Sequence, residues 1–235
     1  MNSMSPRHTN LILFFVFPMT VSAMLISMYF SGIDVLQQIV SPMRREDLAV
    51  AMREFGLLEN LQNFYLLAIF IMCCCAIRRK AKWERKAWVA VAALAVFVFL
   101  EEIDYGLNFY DLLKKKTLHD ADQVRNIHNV GDLNKKIKIA VDLMLVSVFM
   151  IAPFVLSRSA SAFIQYVLPN RWFALTVLGM ALLSSLAHKL DDAGLAPNGS
   201  LENNITEFRE LTIYYMWMLY IYELVFRRRY VAQVP

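Results

Sequence analysis

Six long runs of apolar residues, separated by polar segments, dominate the pattern of this chain. A helix needs about 20 residues to cross a hydrocarbon core of roughly 30 Å, and the two shorter runs reach this length only with flanking turns. The runs do not alternate polar and apolar residues, as the strands of a membrane barrel would. The pattern therefore predicts an all-α, polytopic integral membrane protein with about six transmembrane helices. The predicted spans are about Leu11–Phe30, Leu57–Ile77, Trp88–Leu100, Ile137–Leu156, Trp172–Ala187 and Thr206–Phe226.

The longest polar segment lies between the third and fourth runs, from Glu101 to Lys136. Its first part, EEIDYGLNFYDLL, spaces its apolar residues as an amphipathic helix does. We therefore expect an interfacial helix or an ordered loop at this point. Because no internal repeat or long linker divides the chain, residues 1–235 are expected to form a single helical transmembrane domain.

The composition agrees with a membrane protein, since 58% of the 235 residues are hydrophobic and only 19% are charged. Lys and Arg concentrate in the segment Arg78–Ala87 and again at Arg227–Arg229, directly after the last run. Because basic residues in short loops mark the cytoplasmic side, we expect both termini in the cytoplasm, in a protein of the bacterial inner (plasma) membrane. Lys135, Lys136 and Lys138 disagree with this orientation, since they precede the fourth run on the opposite side.

Acidic residues and histidines gather on the side opposite to the two basic segments. Seventeen of the twenty acidic residues and three of the four histidines fall there, with Glu84, Asp142 and Glu223 as the acidic exceptions. Because successive spans alternate in direction, the polar ends of the second, third, fifth and sixth runs face the same way. Carboxylates at membrane depth are costly and usually pair inward or mark function, so this end predicts a functional site.

Six side chains at this polar end are candidates for a shared site. The candidates for catalysis are Glu59, Glu102, His188, Asp192 and Glu210. The candidates for metal ligation are Glu102, His128, His188, Asp192 and Glu210. So many carboxylates cannot all be ionised in one partly desolvated pocket without a counter-charge, which Arg125, Arg209 or a divalent metal would supply. Mixed Asp, Glu and His ligands suit Zn, Mn or Fe.

Two pairs of candidates are distinguished by their spacing. His188 and Asp192 are four residues apart, a spacing at which both bind one metal or the carboxylate orients the imidazole. Glu101 and Glu102 are adjacent, so at most one of them points at a given centre. We prefer Glu102 as the inward group, because it lies one residue further into the polar zone, and we expect Glu101 to be solvated.

Three further groups have structural explanations. Gln62 and Asn63 share a helical face with Glu59, and they fit an interhelical hydrogen-bond seam as well as they fit a site. Asp142 lies four residues after Lys138, which predicts an ion pair within one helix.

The acids of the last run also share a face. Glu207 and Glu210 are followed on it by Tyr214. An acid in a first helical turn complements the helix dipole, so Glu207 has a structural explanation and Glu210 is the better functional candidate.

These groups predict a membrane-embedded enzyme, a hydrolase or transferase with or without a divalent metal, that acts on a lipid or lipid-linked substrate at the non-cytoplasmic face. The alternative is a non-catalytic membrane subunit or transporter that docks a partner through its acidic outer surface. The expected partners are membrane lipids and a membrane or periplasmic protein. Nucleic acid is not expected, since the chain lacks a basic surface interleaved with aromatic residues. The sequence leaves enzyme and non-enzyme open.

Overall fold

A computed structural model describes residues 6–40, 56–80, 82–106, 113–114, 132–195 and 201–227 of the chain. Every regular element within these ranges is helical, so the predicted all-helical fold is confirmed for them. The α-helices are α1 (Pro6–Leu11), α2 (Phe17–Tyr29), α3 (Asp34–Val40), α4 (Leu57–Arg79), α5 (Lys82–Glu102), α6 (Asp132–Met144), α7 (Ala152–Val155), α8 (Ala162–Val167), α9 (Trp172–Asp192) and α10 (Leu201–Tyr222). Wider π-helical turns at Ile12–Val16, Leu145–Ile151 and Glu223–Arg227 continue the neighbouring α-helices.

Four helical stretches in the described ranges are long and apolar enough to cross a membrane. They are Thr9–Tyr29, Leu57–Arg79, Lys136–Val155 and Trp172–Asp192. These stretches correspond to the first, second, fourth and fifth predicted spans. The helices that hold the third and sixth runs, α5 and α10, are of similar length, with 21 and 22 residues, but they carry charged side chains within that length. The fold is therefore that of a helical membrane protein with four such helices.

The outward faces of these helices are apolar. Large apolar side chains are exposed at intervals of three or four residues along α4 and α9. They are Phe64, Leu67, Ile71, Leu175, Leu178, Leu182 and Leu186. Long exposed apolar stripes are unusual on a protein that is surrounded by water. They are expected where a helix faces lipid.

Helix α10 packs against α2, α4 and α9, and α4 packs along α5. The connection between α4 and α5 is short, so the two helices are antiparallel neighbours. One apolar core, which includes Leu25, Phe173 and Met216, joins α2, α9 and α10. A second core, which includes Ile69 and Ala92, joins α4, α5 and α10. Helix α10 contributes to both cores, so its rotation about its axis is restrained from several sides.

The helix ends that carry the basic residues lie together, and we call this region the basic end. Lys80 Nζ, just after α4, donates hydrogen bonds to Tyr166 Oη and to the backbone oxygen of Leu224, each at 3.3 Å. Arg227 Nη1 donates to Asn10 Oδ1 at 2.9 Å. The end of α10 therefore lies beside both the end of α4 and the start of the first helical stretch, as the predicted alternation of spans requires.

Helix α5 ends at Glu102, where the predicted interfacial segment begins. Asp104, Tyr105 and Gly106 all have positive φ angles, of 49°, 53° and 85°. Because this left-handed conformation is rare for residues with a side chain and cannot continue a right-handed helix, the chain turns sharply here. The first part of the segment is therefore a turn, and most of the remainder lies outside the described residues.

Candidate functional site

The last residue of α5 reaches across to α10. Tyr214 Oη donates a hydrogen bond of 2.5 Å to Glu102 Oε1. Glu102 is partly buried, two residues after the apolar run that ends at Leu100. Its carboxylate therefore faces a second helix, as an inward-pointing group does.

Glu101 is also enclosed by protein, with 5% of its surface exposed. Its carboxylate accepts a hydrogen bond from Tyr105 Oη. The left-handed turn at Asp104 and Tyr105 folds the tyrosine back over the end of α5. The prediction that Glu101 is solvated is therefore wrong, because a turn that follows the helix covers it.

A second polar contact joins α4 to α10. Gln62 Nε2 donates to Glu207 Oε2 at 2.9 Å and to the backbone oxygen of Glu207 at 3.2 Å. Gln62 has no exposed surface. The interhelical hydrogen-bond seam that the spacing allowed is thus present at Gln62. The same contact places the amide beside an acidic residue of α10.

Glu102, Glu207 and Glu210 form one electrostatic group, which we call the carboxylate cluster. Glu102 interacts with Glu207, and Glu210 interacts with both. Two cations, Lys138 on α6 and Arg209 on α10, lie close enough to Glu210 to oppose its negative charge. Three half-buried carboxylates from two helices therefore influence one another at the same end of the bundle, with two cations nearby.

The positive charge of Arg209 is shared with an acid outside the cluster. Arg209 Nη2 lies 2.8 Å from Asp142 Oδ1, so the ion pair joins α10 to α6. The ion pair of Asp142 is therefore interhelical, and the predicted pairing with Lys138 in the same helix is wrong. A guanidinium on a long side chain can reach a neighbouring helix, which spacing along one helix does not reveal.

The carboxyl group of Glu102 titrates near neutral pH. Its pKa is raised to about 7, mainly by burial and then by the charges of Glu207, Asp104 and Glu101, while the hydrogen bond from Tyr214 lowers it. Desolvation disfavours the charged form of a carboxyl group, and neighbouring negative charges add to this effect. Glu102 can therefore hold or release a proton under physiological conditions, as a general acid or base must.

His188 and Asp192 lie in the last turns of α9, where both side chains are exposed. Ser184, one turn before His188, lines a crevice together with Arg209, which places this part of α9 beside the start of α10. The two residues are therefore at the same end of the bundle as the carboxylate cluster, but on the surface. His128 lies outside the described residues.

Two amide oxygens near the start of α4 are unsatisfied. Gln62 Oε1 and Asn63 Oδ1 are buried, and neither has a hydrogen-bond partner among the described residues. Glu59 lies on the same helix, three residues before Gln62, and is partly buried. Because the large majority of buried polar atoms in proteins have a partner, two exceptions on consecutive residues require an explanation.

A site for Zn, Mn or Fe requires several ligands around one point. Within the ranges that the structure describes, no group of three or more His, Cys, Asp and Glu side chains is arranged to hold a metal ion. The predicted ligand set includes His128, which is not described, so this site remains a prediction.

Glu207 and Tyr214 belong to the site but are not among the predicted catalytic or metal-binding residues. The helix dipole alone explains an acid at Glu207, and the sequence gives Tyr214 no role beyond sharing a face with it. Their spacing from Glu210, three residues before it and four after it, was the signal that could have identified both. In the structure Tyr214 donates a hydrogen bond to Glu102, and Glu207 and Glu210 interact electrostatically with the same carboxylate.

Comparison with known proteins identifies no relative. No family model, no curated protein and no solved structure matches the chain. The function is therefore argued from the chemistry of the site.

Proposed function

We propose that this protein is a membrane-embedded hydrolase or transferase that acts on a lipid or lipid-linked substrate through general acid–base catalysis by the carboxylate cluster. The observation that carries the proposal is the hydrogen bond from Tyr214 of α10 to Glu102 of α5, together with the electrostatic interaction of Glu102 with Glu207 and Glu210. Carboxyl groups that crowd one another in a desolvated space take up protons at different pH values. Such a group of carboxyls supplies an acid and a base at the same time.

Each member of the cluster has a separate role in this proposal. Glu102 carries the proton near neutral pH and donates it to the leaving group, with Tyr214 holding its carboxyl group in position. The pair Glu207 and Glu210 supplies the base that activates water or an acceptor hydroxyl. The hydrogen bonds from Gln62 to the carboxylate and to the backbone oxygen of Glu207 hold this residue in place.

The other predicted residues are proposed to contact the substrate at the rim of the site. His188 and Asp192 are exposed at the same end of the bundle, where a polar headgroup or a bound divalent metal can reach them. Glu59 lies one helical turn before Gln62, in the first turn of α4.

The arrangement of the helices supports six spans. Helix α5 packs along α4, and α10 packs against α4 and α9, and both partners are long and apolar enough to cross a membrane. We therefore propose that α5 and α10 cross as well. The excess of Lys and Arg at the basic end supports a cytoplasmic location for that end. The carboxylate cluster would then face the non-cytoplasmic side of a bacterial inner membrane.

The test uses the purified full chain in lipid nanodiscs, incubated with a membrane lipid extract, with products followed by mass spectrometry. Glu102→Gln keeps the size of the side chain and removes the acid. It is expected to lower turnover by about a hundredfold or more, which is within the range for the loss of a general acid or base. The matched control is Asp34→Asn, an exposed acid at the start of α3, which should leave turnover unchanged.

Equal turnover in the wild type and in Glu102→Gln would contradict the catalytic role. An absence of lipid turnover in the wild type, together with stable binding of a membrane or periplasmic protein, would favour the alternative of a non-catalytic subunit or transporter.

A further inference from the structure

Exposed cations surround the short connection between α4 and α5. Helix α4 ends at Arg79 and α5 begins at Lys82, so the side chains just before and just after this connection lie at one end of the bundle. Lys80 in the connection is held by its hydrogen bonds to Tyr166 and Leu224. The neighbouring exposed cations have a different environment, and we call them the basic turn. They are Arg78, Arg79, Arg85 and Lys86.

The acids at this end of the bundle are enclosed by protein. The sequence places two acids on this side of the predicted spans, Glu84 and Glu223. They are only 6% and 5% exposed, whereas all four members of the basic turn are exposed. The exposed charge at this end is therefore positive in the part of the chain that the structure describes.

Two members of the basic turn continue apolar faces of their helices. Arg78 follows Ile71 by seven residues, and Arg85 precedes Val89 by four residues, so each pair shares one helical face. Ile71 and Val89 are 53% and 51% exposed, as side chains that face lipid are. The positive charge therefore begins where the apolar face ends, which is the depth of the lipid headgroups.

Arg79 also lies beside an exposed aromatic ring. Its guanidinium carbon is 5.9 Å from the centre of the Phe226 ring, on the helical stretch that follows α10. Phe226 is 45% exposed. An exposed ring next to an exposed guanidinium offers an apolar surface to an acyl chain and hydrogen-bond donors to a phosphate. Both parts of one lipid molecule can therefore be contacted at this point.

We propose that the basic turn binds anionic phospholipids of the surrounding membrane, with the headgroup phosphate as the group that is recognised. The guanidinium of arginine presents a planar fork of donors that matches phosphate oxygens. Lys and Arg residues clustered directly beside a span attract anionic lipids, and the attraction grows with each cation. A lipid is favoured over a soluble anion or an acidic protein, because the exposed apolar faces lead directly to these cations.

The basic turn and the carboxylate cluster lie at opposite ends of the bundle. The lipid contact involves no residue of the cluster, so it does not depend on the proposed function. Glu102→Gln should therefore bind anionic lipid as tightly as the wild type does.

The experiment measures lipid binding by the full chain in a neutral detergent, with microscale thermophoresis. Phosphatidylglycerol is the anionic probe, and phosphatidylcholine with the same acyl chains is the zwitterionic control. Phosphatidylglycerol should bind at least about tenfold more tightly. Because salt screens exposed charges, an ionic strength of about 1 M should remove most of this preference, even without any variant.

Paired variants assign the binding to the basic turn. The double variant Arg78→Gln with Arg79→Gln should weaken phosphatidylglycerol binding by at least about tenfold, since each cation near the membrane surface contributes about fivefold. Arg79→Lys keeps the charge but loses the planar fork, so it should weaken binding less than Arg79→Gln. The matched control is Lys136→Gln with Lys189→Gln, which removes two exposed cations from the opposite end and should leave binding unchanged.

Equal affinity for the two lipids would overturn the proposal, as would unchanged binding in the double variant of Arg78 and Arg79 or an equal loss in the control variant. Inorganic phosphate and a polyglutamate peptide are the competing probes, and neither should displace the lipid at the same concentration. Displacement by phosphate would indicate a site for free anions, and displacement by polyglutamate would indicate an acidic protein partner. Either result would overturn the choice of a lipid.

The two proposals of this work fail separately. Lipid turnover that depends on Glu102, without a preference for phosphatidylglycerol at the basic turn, would reject only the lipid contact. Binding of phosphatidylglycerol that requires Arg78 and Arg79, without any lipid turnover, would reject only the catalytic proposal.

Discussion

The two ends of the helix bundle are both rich in charge, but they differ in how the charges are satisfied. At the basic end, Lys80 donates to Tyr166 and to the backbone of Leu224, and its Nζ lies 5.4 Å from the centre of the Tyr166 ring. Arg227 lies 4.0 Å from the carboxylate of Glu223. These side chains hold the ends of α4, α8 and α10 together. Their contacts are explained by packing alone.

At the opposite end, the members of the carboxylate cluster repel one another. One of the two nearby cations, Arg209, also pairs with Asp142, and the amide oxygens of Gln62 and Asn63 have no hydrogen-bond partner among the described residues. The comparison shows that polar helix ends are not by themselves a sign of function. The crowding of carboxylates is what distinguishes the opposite end, and it favours a site for a proton or a polar substrate.

The largest expected effect is a loss of lipid turnover when the carboxylate cluster is changed, with no loss when the basic end is changed. Glu210→Gln removes a carboxylate of the cluster and should lower lipid turnover by about a hundredfold. Lys80→Met at the basic end should leave turnover per folded molecule unchanged. Lys80 donates hydrogen bonds to Tyr166 and to the backbone of Leu224, and both acceptors lie at the basic end, away from the carboxylate cluster. Both rates are measured by mass spectrometry of the lipid products. A similar loss in both variants would remove the distinction between the ends.

The next effect is a pH dependence of stability that comes from Glu102. Because its pKa in the folded protein is raised to about 7 from an ordinary value near 4.5, the folded state binds the proton more tightly than the unfolded state does. The stabilisation is complete below the unfolded pKa and is lost as the pH rises from about 4.5 to about 7, by at most about 3 kcal/mol.

Thermal unfolding at several pH values measures this effect, and the melting temperature should fall with rising pH. Glu102→Gln cannot ionise and should flatten the dependence, whereas the Asp34→Asn control should keep it. A melting temperature of the wild type that rises with pH over this range would contradict the prediction, because it would mean that folding favours the ionised form of Glu102.

A smaller effect is expected for stability at the basic end. Lys80→Met removes two hydrogen bonds from a charged donor, so the free energy of unfolding should fall by about 1–3 kcal/mol, although the backbone oxygen of Leu224 keeps its hydrogen bond from Tyr166 Oη. Lys86→Met, on an exposed residue of α5, is the control and should have little effect. The measurement is chemical or thermal unfolding in detergent. Equal stability of the two variants would mean that the Lys80 contacts do not hold the basic end together.

The smallest effect is expected for the ion pair between Arg209 and Asp142. The two side chains are 27% and 49% exposed, so the pair should contribute less than about 1 kcal/mol. A double-mutant cycle with Arg209→Gln and Asp142→Asn measures the coupling. A larger value would show that this ion pair is poorly hydrated and belongs to the same electrostatic unit as the cluster.

The positions of the helices could be predicted because a long apolar run in a membrane forms a helix, which satisfies its backbone hydrogen bonds internally. The second run, predicted at about Leu57–Ile77, is the helix Leu57–Arg79, and the fifth, predicted at about Trp172–Ala187, is the helix Trp172–Asp192. The segment after Glu102 was less predictable. Its apolar spacing suits a helix, but the backbone at Asp104 is left-handed and turns the chain.

The sequence predicted which end of the bundle carries the candidate site, but it did not predict which side chains face inward there. The sequence placed Glu102 and Glu210 at the same end of the bundle, and the structure places them within one electrostatic group. It did not predict that Glu101 is covered by Tyr105, or that Asp142 pairs with a neighbouring helix. Adjacent residues on a helix point about 100° apart, so a small rotation changes which of them faces inward.

The sequence by itself determined the class of protein, the helices and the collection of acids at one end, because apolar length and alternating direction decide these features. Only the tertiary structure decided that Tyr214 meets Glu102, that Gln62 meets Glu207 and that His188 lies on the surface. These pairings depend on the rotation of each helix about its axis. That rotation is set by side-chain packing among α2, α4, α5, α9 and α10, which involves residues far apart in the chain.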